Sequence, residues 1–516
     1  VTENASGYDY HGYHTINFKQ VDKRYESSDV SFLDVIKEAH KRDMKIILDI
    51  VLNHTCNFGE ENLFPMFYKD ENNQTISGMY QYDKSLLPSN YSSMSGGDQY
   101  NARINAMKGS KDVYNMYHHE NTMQWETVYE QLGQIAGDCV DLNTENPTVC
   151  NYLVQTYGEF IRMGVDAFRI DTMKHISRLS FNKYIWPALY HFADKCGNTH
   201  FYMFGEVCTR VRDVWNHGIA ADSCPFYTWK ESKNYPWGES NTNIQSTIKL
   251  WNDNSSSNNQ PTSNNATLNG IQYHQPDHSK WSGVSTIDFP MHWNFQYARD
   301  AFNVAVNNDK YYNDATFNVV YVDSHDYGPD CIEKVRYNMG TTAWKENMSL
   351  MFTFRGVPCI YYGSEIEFQK GKTIDEGANL QLKDSGRAYY GDYLQGSVTA
   401  TDFGKYTASG KVADTLKGTL CEHLRKLNEI RRNTPALRRG QYTRSGCSGD
   451  MSFIRRYTAN GVDSIAAVTI SGGATFSSLP NGTYKDLMSG KTVTVSNGTL
   501  TASNPGSGNV AIYVKQ

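Results

Sequence analysis

A chain of 516 residues is longer than one ordinary domain needs, so two or three domains with a large buried core are expected, even if a barrel of about 250 residues counts as one of them. A formal charge of -6 and a pI near 6.2 supply no basic field for a phosphate backbone, and the arginine cluster at Arg431, Arg432, Arg438 and Arg439 is short, which excludes nucleic acid as an expected partner. No apolar run approaches the roughly 18 residues a bilayer crossing needs; residues 46–52 form one of the longest, and Asp49 interrupts it.

In chain order, Phe32, Leu33, Ile36 and Ala39 fall on one helical face, and a strand over 45–51 follows and ends at Asn53 and His54. Residues 55–140, rich in Tyr, Asn, Ser and Gly, are too long for a plain loop and read as an inserted domain. The adjacent His118 and His119 lack a chelating spacing and are expected on that domain's surface. Asn146 can cap and Pro147 can open a second helix, which Gly164 stops. The strand over 165–171 then puts Arg169 and Asp171 on one face, two residues apart.

Further strands are expected to end at Glu206, near Asp288 and at His325 and Asp326. Polar residues at the carboxyl ends of parallel strands mark the face where a (β/α)8 barrel places its chemistry. A polar tract over 252–260 reads as an insertion. From Gly440 short alternating strands with Asn-Gly turns, as at Asn497 and Gly498, predict a C-terminal antiparallel β-sandwich. The ten cysteines show no metal-like C-x-x-C spacing, and most are expected to be buried thiols.

Cleaving a glycosidic bond calls for one carboxylate at the anomeric carbon and one carboxylic acid at the departing oxygen. Asp171 and Glu206 end separate strands, Asp326 supplies a third carboxylate, and Arg169 stands ready to hold Asp171 ionised and oriented.

Motifs in order along almost the whole chain carry a resemblance. They are Tyr10-His11-Gly12-Tyr13, Asp49-Ile50-Val51-Leu52-Asn53-His54, Asp141-Leu142-Asn143, Phe168-Arg169-Ile170-Asp171-Thr172-Met173-Lys174-His175, Gly205-Glu206-Val207, Val322-Asp323-Ser324-His325-Asp326, and Gly356-Val357-Pro358 with Tyr361-Tyr362-Gly363-Ser364-Glu365. In these the chain resembles the α-amylase superfamily, family 13 of the glycoside hydrolases, and its α-amylase branch. The resemblance implies a TIM barrel with an inserted domain after its third strand, and endo-acting, retaining hydrolysis of α-1,4 bonds in starch-like glucans. The alternatives are a transglycosylase of the same superfamily and a non-catalytic glucan-binding relative.

The resemblance also implies roles. Asp171 is the nucleophile, Glu206 the acid/base and Asp326 the carboxylate that grips sugar hydroxyls. His11, His54, Arg169 and His325 surround the scissile sugar, Tyr13 lies beneath it, and Lys174 and His175 contact sugars on the leaving side. A structural calcium ion is expected on the Asn53 side chain, Asp141 and the His175 carbonyl, completed by inserted-domain groups and water.

The expected layout is barrel over 1–54 and 141–439, inserted domain over 55–140 and sandwich over 440–516. A monomer, secreted or at the cell surface with no transmembrane segment, is expected. Tyr10 to Tyr13 resembles the stretch after the family's second strand, so about 50 to 100 further residues upstream are expected, on the scale of two barrel repeats.

Overall fold

The computed structural model describes residues 11–15, 17–56, 84–112, 114–118, 122–136, 139–209, 214–268, 271–374, 381–402 and 404–516, with two short strands at Glu3–Asn4 and Gly7–Tyr8. The chain divides into two compact units. The first comprises Val1–Arg210, Trp215–Gln260 and Trp281–Thr286; the second comprises Val211–Val214, Pro261–Lys280 and Ile287–Gln516.

In the first unit α1 (Phe32–His40) starts at Ser31, whose side chain accepts from the Asp34 backbone while Asp34 reaches back to the Ser31 backbone. α3 (Pro147–Met163) is capped by Asn146 and ends on Gly164, whose φ of 112° is open to a residue without Cβ. The intervening α2 is Gly96–Ala106, and α4 is Trp186–Lys195.

Four strands, β1 (Ile47–Val51), β4 (Ala167–Asp171), β5 (Tyr202–Gly205) and β6 (Ser285–Thr286), form a parallel sheet in the order β6-β5-β4-β1. A separate antiparallel pair, β2 (His54–Cys56) with β3 (Cys139–Asp141), closes the base of the segment expected to be inserted. Residues 57–83 of that segment lie outside the described residues. The sheet is anchored from α3: the Tyr157 hydroxyl donates to the Val51 carbonyl at 2.7 Å, and its ring packs against Phe168 of β4.

In the second unit β7 (Val319–Val320) pairs in parallel with β8 (Val357–Pro358), and Ile287 makes a parallel bridge to Val319. Its C-terminal part is a six-stranded antiparallel sheet. The order is β9 (Gln441–Thr443), β10 (Ser452–Ala459), β11 (Val462–Ile470), β14 (Val510–Lys515), β12 (Gly482–Asp486) and β13 (Thr492–Val495).

Alternation gives this sheet two apolar faces. Phe453, Val468 and Ile512 join one core with Phe302, Met348 and Leu427 from the helices. Ile454, Ala467 and Tyr513 join another with Phe476 and Leu500 of a three-stranded sheet. The expected sandwich is therefore present as two antiparallel sheets, but one face of it shares a core with residues 291–437, and the compact units do not part at 440.

Candidate active site

The parallel register assembles the first unit's polar cluster. Asp49 of β1 lies opposite Arg169 of β4, Ile170 lies opposite Gly205 of β5, and Glu206 follows directly. One guanidinium thus reaches three carboxylates: Arg169 donates to Asp49 at 3.0 Å, to Asp171 at 2.8 Å and to Glu206 at 2.9 Å. Arg169, Asp171 and Glu206 are largely buried, whereas the Asp49 side chain is 40% exposed.

Thr172, held at a φ of 46° that strains a β-branched residue, bonds both catalytic candidates. Its N–H donates to Glu206 at 3.3 Å and its hydroxyl to Asp171 at 3.1 Å. Gly205 has no Cβ, and any Cβ there would collide with the Met173 side chain, so the acid's strand and the turn after the nucleophile press directly together.

Charge balance sets the protonation. Burial pushes the Asp171 carboxyl up to about 8; Arg169 pulls against it, while the charges of Glu206 and Asp49 add to the push. One cation among three carboxyls leaves the cluster short of positive charge, which favours the protonated form of Asp171. Arg169 orients Asp171, but burial and the neighbouring carboxyls outweigh its pull, so the expectation that Arg169 holds Asp171 ionised is not what the charge balance of the free chain favours.

The expected sugar-contacting residues fall into two sets. Tyr13 is at the cluster: its hydroxyl donates to Asp49 at 2.7 Å, and the Arg169 guanidinium lies 5.6 Å from its ring centre. His11 accepts the Tyr13 N–H at 2.9 Å. His54 is buried, donates from Nε2 to the Tyr13 carbonyl at 3.1 Å, and is driven by burial to a pKa of about 3, so it is neutral.

Lys174 and His175 are placed differently from expectation. Lys174 is 2% exposed, its ammonium 2.6 Å from Glu130, and His175 is buried with its ring Nδ1 donating to the Glu130 carbonyl at 3.0 Å. A lysine committed to a buried carboxylate is not presented to a sugar.

Asp326 belongs to the second unit. There His325 Nε2 lies 3.0 Å from one of its oxygens, and Arg387 donates to the other at 3.2 Å and to the His325 carbonyl at 2.8 Å. Asp288, expected among strand ends bearing chemistry, is instead structural: fully buried, it accepts the Met291 N–H and the Arg355 guanidinium.

His118, expected on the surface, is buried between two carboxylates, Nδ1 at 2.9 Å from Asp141 and Nε2 at 3.0 Å from Glu145. Burial pulls its pKa down, but Glu145 and Asp141 outweigh this and lift it to about 10. His119 lies outside the described residues. The calcium set does not fit an ion as it stands: Asn53 turns its amide Nδ2 to one Asp141 oxygen at 2.9 Å, and His118 takes the other.

Asp49, Glu130, Trp125 and Arg387 received no role from the sequence. Only Asp49 had a usable signal, because its strand position opposite Arg169 follows once the two strands pair in parallel. Of the ten cysteines, four are buried, three intermediate and three exposed, so burial is less general than expected.

Residues 3–388 match the family described as alpha amylase, catalytic domain. A cyclomaltodextrin glucanotransferase of Klebsiella oxytoca is 22% identical over 521 residues, covering 96% of this chain and 64% of its own length. An alpha-amylase of Streptomyces lividans is 24% identical over 493 residues, covering 90% of this chain and 46% of its own. The chain therefore spans less than two thirds of either relative. The alpha-amylase from Geobacillus thermoleovorans, solved with acarbose, aligns with a TM-score of 0.55 at 19% identity, over 98% of this chain and 84% of that one, a likeness of fold.

Proposed function

The chain belongs to the α-amylase catalytic-domain family, and from that premise we propose that it is a retaining enzyme of α-1,4-linked glucans, with Asp171 as nucleophile, Glu206 as acid/base and Asp326 as the third carboxylate. The observation that carries this reading is the single Arg169 guanidinium gripping Asp171 and Glu206 at the ends of adjacent parallel strands. Their strands are read as those of a (β/α)8 barrel, the face on which that fold performs chemistry.

Glu206 gives its proton to the glycosidic oxygen as the bond to the anomeric carbon breaks, and Asp171 forms an ester to that carbon. Arg169 keeps Asp171 oriented and offsets the charge left on Glu206. In the second half water or a sugar hydroxyl attacks, the ester bond breaks, and Glu206 takes the attacker's proton back. His54, buried, neutral and fixed by the Tyr13 carbonyl, adds no charge to the site.

Transfer to sugar is the second reading, favoured by the glucanotransferase relatives. A purely glucan-binding role is disfavoured because all three carboxylates are present. The deciding experiment is incubation with soluble starch, following reducing ends and the anomer first released by NMR. The α-anomer is expected; β-anomer first would overturn retention, and no new reducing ends or transfer products would overturn the enzyme reading.

A further inference from the structure

A carboxylate from the segment expected to be inserted grips the turn that holds the acid. Glu130 ends the single-turn helix Val128–Glu130, is fully buried, and accepts the Glu126 N–H on Oε2 at 3.0 Å. Its other oxygen lies 2.6 Å from the Lys174 ammonium, and its carbonyl accepts from the His175 ring Nδ1 at 3.0 Å. The exposed Trp125 ring lies against the same ammonium, its centre 5.0 Å away. Gln131 holds the turn from another side. Its amide donates to the Tyr227 hydroxyl at 3.0 Å, and that hydroxyl lies 3.0 Å from the Lys174 carbonyl and 2.8 Å from the Ile176 carbonyl.

Glu206 is fastened to this turn, Met173–His175, twice. The Lys174 N–H donates to its backbone carbonyl at 3.0 Å, and the Thr172 N–H, just before the turn, donates to its carboxyl at 3.3 Å. Thr172 makes that bond at a φ of 46°, a state a β-branched residue keeps only where its surroundings over-determine it. Resting on the proposed function, we infer that Glu130 is a positioning residue for the acid: through the Lys174 ammonium and the His175 ring it fixes the turn, and the turn fixes the Glu206 carboxyl for delivery of its proton to the glycosidic oxygen. Being fully buried, Glu130 does not touch substrate. Its contribution is geometric, and a proton donor displaced by about 1 Å can lose about 10²-fold in rate.

The test compares wild type, Glu130→Gln and the double variant Glu130→Gln/Lys174→Met in the full chain, on maltoheptaose and on α-maltotriosyl fluoride, whose fluoride departs with little help from an acid. The single variant leaves the Lys174 ammonium buried without this partner; the double variant removes both charges and keeps the test open if the single one does not fold. Each is expected to lower kcat/KM on maltoheptaose about 10²-fold, with the loss in kcat, while kcat/KM on the fluoride stays within about threefold of wild type. A carboxylate that only supported the fold would cost both substrates alike, and one that only shaped a sugar subsite would act on KM. Equal losses on the two substrates, a loss confined to KM, or a double variant as active as wild type on maltoheptaose would each overturn the proposal. A wild-type chain inactive on both substrates would overturn the functional reading itself, and the proposal with it.

Discussion

Each unit has a buried arginine ringed by carboxylates, and the two clusters differ in balance. Arg355 is fully buried, donating to Asp288 at 3.0 Å, to Asp309 at 2.9 Å and to Asn308 at 2.7 Å, while His274 lies 2.6 Å from the other Asp309 oxygen. Burial pushes the Asp309 carboxyl up, but His274 and Arg355 outweigh it and hold it below the usual range, and the His274 pKa is raised. Two basic side chains therefore face two carboxyls. Around Arg169 one cation meets three carboxyls, and Asp171 is pushed up to about 8. Burial is common to both clusters; what sets the first apart is unmatched charge beside a partly open Asp49.

The sharpest break between the clusters is expected in turnover. Asp171→Asn should lower kcat at least about 10³-fold, since the attacking group is lost. Asp309→Asn should act on stability and leave kcat per folded molecule near wild type. Activity measured against the folded fraction checks this, and a comparable kcat loss in both variants would erase the distinction.

Next in size, Arg355→Met should cost about 3 to 5 kcal/mol of stability, because it leaves buried carboxylates without their cation. Denaturant unfolding measures it; a loss below about 1 kcal/mol would show that the second cluster is not structural.

The pH dependence should run in opposite senses. A folded-state pKa raised to about 8 means that Asp171 costs stability progressively between about pH 4 and pH 8, so the melting temperature of Asp171→Asn should gain on wild type across that window and level off above it. Asp309, with a lowered pKa, contributes stability above the ordinary aspartate range and loses it in more acid solution, so Asp309→Asn should be most harmful near neutrality and least harmful in acid. A melting curve of Asp171→Asn parallel to wild type over about pH 4 to 8, or one of Asp309→Asn parallel to wild type below about pH 4, would contradict the charge-balance account.

The smallest expected effect concerns calcium. With His118 placed between Asp141 and Glu145, a chelator should leave the melting temperature of the protein unchanged. A drop that added calcium restores would show that the ring yields its place to the ion.

What the sequence made legible was whatever repeats or sits at fixed spacing. Asn146, Pro147 and Gly164 bound a helix by local rules, and Arg169 and Asp171 share a face because side chains alternate along a strand. Asp288 looked like Asp171 because a strand-end aspartate reads the same whether it caps a helix or meets substrate; the difference is the Arg355 that folding brings to it. Lys174 and His118 were misplaced for a related reason, since their partners Glu130 and Glu145 are distant in sequence and are brought to them only by folding. Trp125 and Arg387 lie in such irregular segments too, where neither spacing nor pattern marks a side chain as exposed or engaged.

The missing Cβ at Gly205 has a consequence for recombination. Because the turn carrying Met173 presses on the backbone just before Glu206, the segments around 171–175 and 202–206 are interchangeable with a relative's only as a matched pair. A chimera that imports alanine at 205 while keeping Met173 should misplace the acid, and one that also imports a smaller residue at 173 should accommodate it. The two positions are therefore expected to vary together, so that a library crossing over between them loses function at this one junction even when every carboxylate is inherited.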